Sequence, residues 1–139
     1  MKKLFKLTIL TSSMGILLTG CFIKRTEPLY NVQNNPITEE EIGTGIYSEV
    51  YRAIKEAGLS TNWKIRKIKE GEAQGKLSDK KHPATIKITY NNKFYSINYV
   101  KSKNFKYNSS ENTIHKNYNK WVQRLENKIN KNLSILKSH

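Results

Sequence analysis

The chain has little of the chemistry that holds a fold together covalently or through a metal. Its 139 residues include one cysteine, three histidines and three prolines. A single thiol cannot close a disulfide within the chain, so the fold must depend on packing. Acidic residues are also few, with 11 Asp and Glu against 25 Lys and Arg, a formal net charge of +14. The N-terminal apolar stretch, residues 7–18, is shorter than the roughly 20 residues that span a membrane.

The first 21 residues have the arrangement of an export signal. Three lysines within the first six residues precede the apolar residues 7–18, whose length suits the core of a signal peptide. The tetrapeptide Leu18-Thr19-Gly20-Cys21 follows and resembles the lipobox of bacterial lipoproteins. This resemblance implies cleavage between Gly20 and Cys21, which removes residues 1–20 as a lipoprotein signal peptide. It also implies that Cys21 carries a diacylglycerol and that its new amino group accepts a further fatty acid such as palmitate.

The lipid chains would decide where the protein is located. Each buried methylene contributes about 0.8 kcal/mol, and a single chain holds only reversibly, so two or three chains together give a permanent anchor. The resemblance thus implies an exported protein of the bacterial cell envelope, held on membrane lipid. Phe22, where an acidic residue would signal retention, implies the outer membrane facing the periplasm in a host with two membranes. An ordinary secreted protein with a chance cysteine at position 21 is the alternative.

Positive charge is concentrated in the distal part of the chain. Residues 21–60 hold four basic and six acidic side chains, whereas residues 61–139 hold 18 basic and five acidic ones. Such an excess attracts polyanions. For an exported protein we expect anionic envelope polymers, lipid head groups or an envelope protein as partners, and no nucleic acid. Abundant lysine and asparagine also fit an AT-rich genome, in which case the charge is compositional and has no function.

Proline and polar residues dominate residues 21–37, which we interpret as a lipidated N-terminus and flexible tether. A helix is predicted next, with Thr38 or Thr44 as its N-cap and Gly58 as its C-terminal cap. Apolar residues recur at three- and four-residue intervals from Ile46 to Ala57, which is typical of a helix with one buried face.

The centre of the chain changes to the alternating pattern of strands. We predict one strand around residues 63–68, a weaker one at residues 73–77, and a hairpin formed by residues 84–90 and 95–99. A two-residue turn at Asn91-Asn92 places all apolar side chains of the hairpin on one face. The predicted cross-strand pairs are Ile88 with Tyr95, Ile86 with Ile97, and Ala84 with Tyr99.

A long amphipathic helix ends the chain, with an apolar stripe from Ile114 to Leu136. Residues 38–139 are therefore expected to form one small α+β domain. The expected fold is a two-layer sandwich with an N-terminal helix, a sheet of three or four antiparallel strands, and a long C-terminal helix. The predicted core consists of Ile46, Val50, Ile54, Trp63, Ile86, Ile88, Tyr95, Ile97, Tyr118, Trp121, Val122, Leu125 and Ile129.

Motifs along most of the mature chain are similar to those of a group of small bacterial lipoproteins of uncharacterised activity. They include His82-Pro83-Ala84, Tyr95-Ser96-Ile97-Asn98-Tyr99 and, in the last helix, Ile114-His115-Lys116-Asn117-Tyr118-Asn119-Lys120-Trp121. The resemblance implies a lipid anchor and one small exported domain. It implies no activity, so no functional residue is carried over from the group.

The sequence predicts neither an enzyme nor a cofactor. It contains no nucleophile elbow, phosphate-binding loop or closely spaced pair of carboxylates, and neither His82 nor His115 has an acidic residue at metal-ligand spacing. No catalytic and no metal-binding residue is therefore predicted. We expect a polar cluster where the sheet meets the last helix, which either binds a ligand or only fixes the adjoining loop. Its members are His82, Tyr99, Ser102, His115 and Tyr118.

The expected function is thus a lipid-anchored, non-catalytic envelope protein that docks on anionic envelope components or on a protein complex. The alternative is a small-ligand-binding or inhibitor-type periplasmic lipoprotein that uses the polar cluster as its pocket. The two hypotheses differ in the surface they require. The first needs an exposed basic face, and the second needs a cavity lined by the two histidines.

Overall fold

A computed structural model of the protein describes residues 24–37 and 46–136. The predicted signal peptide, its cleavage site at Gly20 and Cys21, and the two alternative helix starts Thr38 and Thr44 lie outside these residues. Nothing in the structure therefore bears on the lipobox or on how the first helix begins.

The described residues form two helices and seven strands, which confirms the α+β class. Five strands make one antiparallel sheet in the order β2-β6-β5-β4-β3, and β1 pairs with β7 in a separate two-stranded ribbon. The predicted number of three or four strands is wrong. The elements are β1 (Thr26–Pro28), β2 (Val32–Pro36), α1 (Ile46–Ser60), β3 (Trp63–Lys69), β4 (Glu72–Leu77), β5 (Ala84–Tyr90), β6 (Phe94–Ser102), β7 (Thr113–His115) and α2 (Lys116–Leu136).

The flexible tether predicted over residues 21–37 is wrong for residues 24–37. Strand β1 pairs with β7, and β2 extends the main sheet along β6, with Val32 opposite Ile97. Val32 and Ile37 are buried in the core. Strand β6 offers unpaired backbone groups along its outer side, so β2 gains its hydrogen bonds without needing an alternating apolar pattern. The folded domain therefore includes residues 24–37 and does not begin at residue 38.

Helix α1 continues past Gly58 to Ser60, so the predicted glycine cap is wrong. A Cβ atom at Gly58 would lie 2.6 Å from the carbonyl oxygen of Trp63, and glycine is needed here because β3 approaches the helix closely. The left-handed conformation is adopted instead by Asn62, at φ 69°. Asparagine tolerates this region better than most residues, so the turn into β3 lies four residues beyond the predicted helix end.

The hairpin between β5 and β6 forms, but its register differs from the predicted one by two residues. Tyr90 lies opposite Tyr95, and Ile88 lies opposite Ile97. The side-chain oxygen of Asn91 accepts hydrogen bonds from the backbone N–H groups of Lys93 (2.7 Å) and Phe94 (2.8 Å). This side-chain turn makes the loop longer than two residues. Because the shift is even, the apolar side chains still share one face.

Two of the predicted cross-strand pairs are also absent at the end of this hairpin that lies away from its turn. The register shifts between Thr85 and Ile86, so Ala84 lies opposite Ser102 and not opposite Tyr99. Lys101 pairs with Thr85, which leaves His82 outside the strand and not opposite Lys101 as the predicted register required. A β-bulge of this kind places two residues of one strand against one of its partner.

Both helices contact the same face of the five-stranded sheet. The indole N–H of Trp63 on β3 donates to the carbonyl oxygen of Trp121 on α2 (3.3 Å), and the Asn132 amide donates to the Ala53 carbonyl (3.0 Å), which joins the helices. Every predicted core residue within the described side chains is buried except Trp121, which is only half-buried. The side chain of Ile46 lies outside the described set.

Helix α2 begins two residues later than predicted. Ile114 and His115 belong to β7, where Thr26 lies opposite His115 and Glu27 opposite Ile114. The Nδ1 atom of His115 accepts the backbone N–H of Asn117 at 3.1 Å. His115 thus takes the N-cap position of α2, where a side-chain acceptor satisfies one of the free N–H groups of the first turn.

Candidate functional site

His82 and His115 line one cavity of about 330 Å³ beside the N-terminus of α2. Asn104, Phe105 and Asn117 contribute to its walls, together with Asp79 and Trp121. The predicted grouping of the two histidines therefore corresponds to a recess of the size that holds a small ligand. Phe105, which no pattern marked in the sequence, is buried at its base.

Asp79 holds His82 in place at one side of this cavity. Its Oδ1 atom accepts the backbone N–H groups of Lys81 (2.9 Å) and His82 (3.0 Å), and lies 3.6 Å from His82 Nδ1. These backbone hydrogen bonds lower the pKa of Asp79, so its carboxylate is charged at neutral pH. The His82 ring packs against Phe105 with 5.5 Å between ring centroids. The turn thus fixes one histidine between a negative charge and an aromatic ring.

His115 is neutral at physiological pH. Burial lowers the pKa of His115, and the neighbouring cations Lys106, Arg25 and Lys116 lower it further, with a smaller contribution from His82. Because Nδ1 accepts the helix hydrogen bond, the neutral ring carries its proton on Nε2. The imidazole therefore offers a hydrogen-bond donor on Nε2 while Nδ1 caps the helix.

The other three members of the predicted cluster form a separate aromatic layer. Tyr99 and Ser102 share a hydrogen bond of 2.9 Å, and the Tyr99 ring packs edge-on against Tyr118 at 5.4 Å. Phe105 contacts both Tyr118 and His82, so it lies between this layer and the histidines. Tyr99, Ser102 and Tyr118 are absent from the described lining of the cavity. The structure brings the histidines together and keeps the tyrosines apart from them.

The two serines that could be imagined in a catalytic triad have other partners. Ser102 bonds to Tyr99, while Ser96 Oγ accepts the backbone N–H of Asn34 on β2 at 2.9 Å. Both hydroxyls therefore have a structural bonding role. Among residues 24–37 and 46–136, no three His, Cys, Asp or Glu side chains come close enough to share a metal ion.

An open groove of about 630 Å³ lies next to the cavity, where the end of α1 faces the side of α2. Trp121 lines both recesses. Its ring lies 5.3 Å from the Arg124 guanidinium, which is a cation–π distance. Lys128 and Lys131 continue this wall of the groove. Arg124, Lys128 and Lys131 recur at intervals of four and three residues in the sequence, a spacing that places them on one side of a helix.

A second charged feature is the face of the sheet that points away from the helices, here called the open sheet face. The strand register shows which basic residues share this face. Lys64 on β3 lies opposite Lys76 on β4. Thr85 on β5 lies opposite both Lys76 and Lys101, so Lys101 on β6 is on the same face. Like charges directly opposite each other on neighbouring strands destabilise a sheet. The basic residues of this face are Lys64, Arg66, Lys69, Lys76, Lys87 and Lys101.

Little negative charge balances this face. Glu72 Oε2 lies 3.8 Å from Lys69 Nζ and 3.7 Å from Lys87 Nζ. Within the described part of the chain, the other four cations of the face have no carboxylate within 4 Å. They are also exposed to solvent. The open sheet face is thus a flat surface of uncompensated positive charge, which sequence composition alone could not locate.

Comparison of the chain with models of protein families, with curated proteins and with solved structures yields no match. The resemblance to small bacterial lipoproteins accordingly stays a prediction from the sequence. Within the residues that the structure describes, neither helix combines the length and the apolar character needed to cross a bilayer.

Proposed function

We propose that the protein is a lipid-anchored, non-catalytic component of the bacterial envelope that docks on an anionic envelope polymer through the open sheet face. The observation that carries this proposal is the row of uncompensated cations at Lys64, Arg66, Lys76 and Lys101. The lipobox supports the anchor, and the hydrogen-bonded serines support a role without catalysis. Contacts of both helices with the sheet support a two-layer sandwich, in which neither helix of the described residues covers the open sheet face.

The geometry of the open sheet face suits a repeating polyanion. Neighbouring strands lie about 4.8 Å apart, so cations on adjacent strands meet successive negative groups along an extended polymer. Binding would relieve the repulsion between Lys64 and Lys76 that the free protein retains.

Sedimentation of the lipidated full-length protein with purified lipopolysaccharide tests the docking surface. Replacing Lys64, Arg66 and Lys76 by glutamine should weaken binding at least roughly tenfold, and moderate salt should weaken binding of the wild type, because screening acts on exposed charges. The matched control replaces Arg52, Lys55 and Lys120 by glutamine, which removes the same number of charges from exposed positions on the two helices. Equal losses in both variants, or binding indifferent to salt, would reject the open sheet face as the docking surface.

The anchor has its own test, which is independent of the docking surface. Mass spectrometry of the N-terminal peptide from membranes should show residue 21 as the first residue, with a diacylglycerol on its sulfur. Cys21→Ser should abolish the modification and release the protein from the membrane fraction. An unmodified Cys21 in the wild type would refute the lipoprotein assignment, even if the open sheet face still bound polyanions.

A small-ligand-binding function is the second candidate, because the cavity of about 330 Å³ brings His82 and His115 together. His82→Ala combined with His115→Asn should abolish ligand-dependent effects and leave thermal stability almost unchanged. Asparagine is chosen at position 115 because it preserves the N-cap of α2. A fall in the melting temperature without any other effect would assign the cavity a structural role only.

A further inference from the structure

The chain enters the folded domain close to the predicted lipid anchor. The backbone N–H of Lys116 donates to the carbonyl oxygen of Arg25 at 3.0 Å, and Thr26 pairs with His115. These contacts fix residue 25 to the N-terminus of α2. From Cys21 to residue 25 is four residues, which span at most about 14 Å when fully extended. An anchor at Cys21 therefore leaves this end of the domain within reach of the lipid head groups.

Cations are grouped at this same place. The backbone N–H of His115 donates to the carbonyl oxygen of Phe105 at 2.7 Å, which brings the next residue, Lys106, to the same place as Arg25 and Lys116. The three charges come from three different segments, and all three lower the pKa of His115. Lys24 directly precedes Arg25 in the chain, and both side chains are exposed. We name this group, Lys24, Arg25, Lys106 and Lys116, the basic end of the domain.

Nearby acids do not neutralise the basic end. Glu27 lies one residue beyond Thr26, where its carboxylate is 3.5 Å from the Asn119 amide, and Glu111 lies in the turn before β7. In residues 24–37 and 46–136, no carboxylate lies within 4 Å of any cation of the basic end. Four basic residues against two acidic ones leave a positive end beside the exit of the chain.

We propose that the basic end rests on the anionic phospholipid head groups of the leaflet that holds the anchor, and that it sets the orientation of the domain. This inference depends on the lipid anchor of the proposed function. Because four residues span at most about 14 Å, the basic end can approach the head groups to within the Debye length of about 10 Å, where the attraction is only partly screened. Basic residues next to a membrane anchor strengthen its hold on anionic lipid, since two signals act together.

The proposed orientation places the two ends of helix α2 at different distances from the membrane. Helix α2 begins at the basic end, and its 21 residues extend about 30 Å along its axis. In the proposed orientation this axis rises from the leaflet, so the C-terminal turn of α2 is distant from the head groups. Ser110 lies four residues from Lys106 in the turn before β7 and is the label position closer to the basic end. Ser134 lies in the last turn of α2 and is the label position farther from it. Both serines are exposed.

Fluorescence quenching by head-group spin-labelled lipid tests the proposed orientation. The lipidated full-length protein carries a dye on Ser110→Cys or, separately, on Ser134→Cys, since acylated Cys21 does not react with the dye. The vesicles contain phosphatidylcholine alone or with about one quarter phosphatidylglycerol. Adding the anionic lipid should increase quenching of the dye at position 110 severalfold and leave the dye at position 134 little changed.

Charge-matched variants decide whether the basic end is responsible. Arg25→Gln, Lys106→Gln and Lys116→Gln together should abolish the increase at position 110. Lys64→Gln, Arg66→Gln and Lys76→Gln together remove equal charge from the open sheet face and should preserve the increase. Quenching that ignores phosphatidylglycerol, or that falls equally in both variants, would overturn the proposed orientation while the protein stays anchored.

Failure of the anchor is recognised separately. Protein that washes off vesicles and shows no lipid by mass spectrometry would overturn the proposed function and, with it, this inference. Anchored protein whose basic end gains no contact with anionic lipid would overturn only the inference.

Discussion

Two buried tyrosines show how differently the same hydroxyl group is used in this core. Tyr95 OH donates to Asn130 Oδ1 at 2.5 Å and accepts from the Asn35 amide at 2.7 Å. Tyr118 OH is fully buried and has no hydrogen-bond partner among the described residues. Burial raises the pKa of both tyrosines, so both remain neutral. One hydroxyl contributes to stability, whereas the other is desolvated without compensation.

Phenylalanine at each position should therefore have opposite effects on the free energy of unfolding. Tyr95→Phe should lower it by about 1–2 kcal/mol, because the amide groups of Asn35 and Asn130 lose their partner. Tyr118→Phe should leave it unchanged or raise it by up to about 1 kcal/mol, because it removes an unsatisfied polar atom. Urea denaturation measures both, and each variant is the control for the other since the same atom is deleted. Equal losses would show that Tyr118 OH has a partner.

At the residue scale the sequence located the core better than the candidate site. Periodicity identified Tyr118, Leu125 and their neighbours because one helical face must be buried. The same periodicity predicted that Trp121 belongs to the core. In the structure Trp121 lies at the edge of the buried helix face and is half-buried between two recesses. Phe105 lies in a polar loop without any period, so nothing local predicted that it would separate the histidines from the tyrosines.

The segment between β1 and β2 is attached to α2 by a hydrogen bond and not by apolar packing alone. Tyr30 OH donates to Glu126 Oε2 at 2.6 Å, and this bond together with burial raises the pKa of Tyr30 to about 12. The bonded form is the protonated phenol. A folded-state pKa above the ordinary value of 10.0 means that the bond stabilises the fold fully below pH 10. That stabilisation is lost as the pH rises to about 12.

Glu126→Gln should lower the pKa of Tyr30 towards its ordinary value, because a neutral amide no longer disfavours the phenolate. The loss of stability above pH 10 should then become smaller than in the wild type. Ultraviolet titration of tyrosinate gives the pKa, and subtraction of the Tyr30→Phe curve isolates this residue from the other seven tyrosines. An unchanged pKa in Glu126→Gln would show that the carboxylate does not accept the bond in solution.

At the element scale, long periodic segments were predicted and their ends were not. The apolar alternation predicted both strands of the β5–β6 hairpin. It did not predict the length of the turn, which depends on the hydrogen bonds that the Asn91 side chain accepts. Likewise, Gly58 was interpreted as a cap by its position near the helix end. Its actual role is to admit β3, a tertiary contact that no local pattern contains.

The molecule as a whole is larger than the predicted domain, because its N-terminal segment is part of the fold. Asn119 of α2 accepts the backbone N–H of Tyr30 at 3.0 Å and donates to the Pro28 carbonyl at 2.9 Å. One buried asparagine thus takes the place of a strand partner for this segment. Residues 24–37 therefore lack the freedom expected of a 17-residue tether, and the proposed lipid anchor would be followed within a few residues by the folded domain.

Removal of residues 24–37 should therefore destabilise the domain severely, although the sequence predicts a flexible tether there. A chain beginning at residue 38 loses the buried side chains of Val32 and Ile37, each contributing about 1.5–3 kcal/mol, and uncovers the outer edge of β6. A chain beginning at residue 24 keeps every described contact and is the matched control. Urea denaturation should show a cooperative transition for the control and a much lower midpoint, or none, for the shorter chain. Equal midpoints would mean that β2 only lies against the sheet, and the domain could then swing on its anchor, contrary to the fixed orientation inferred for its basic end.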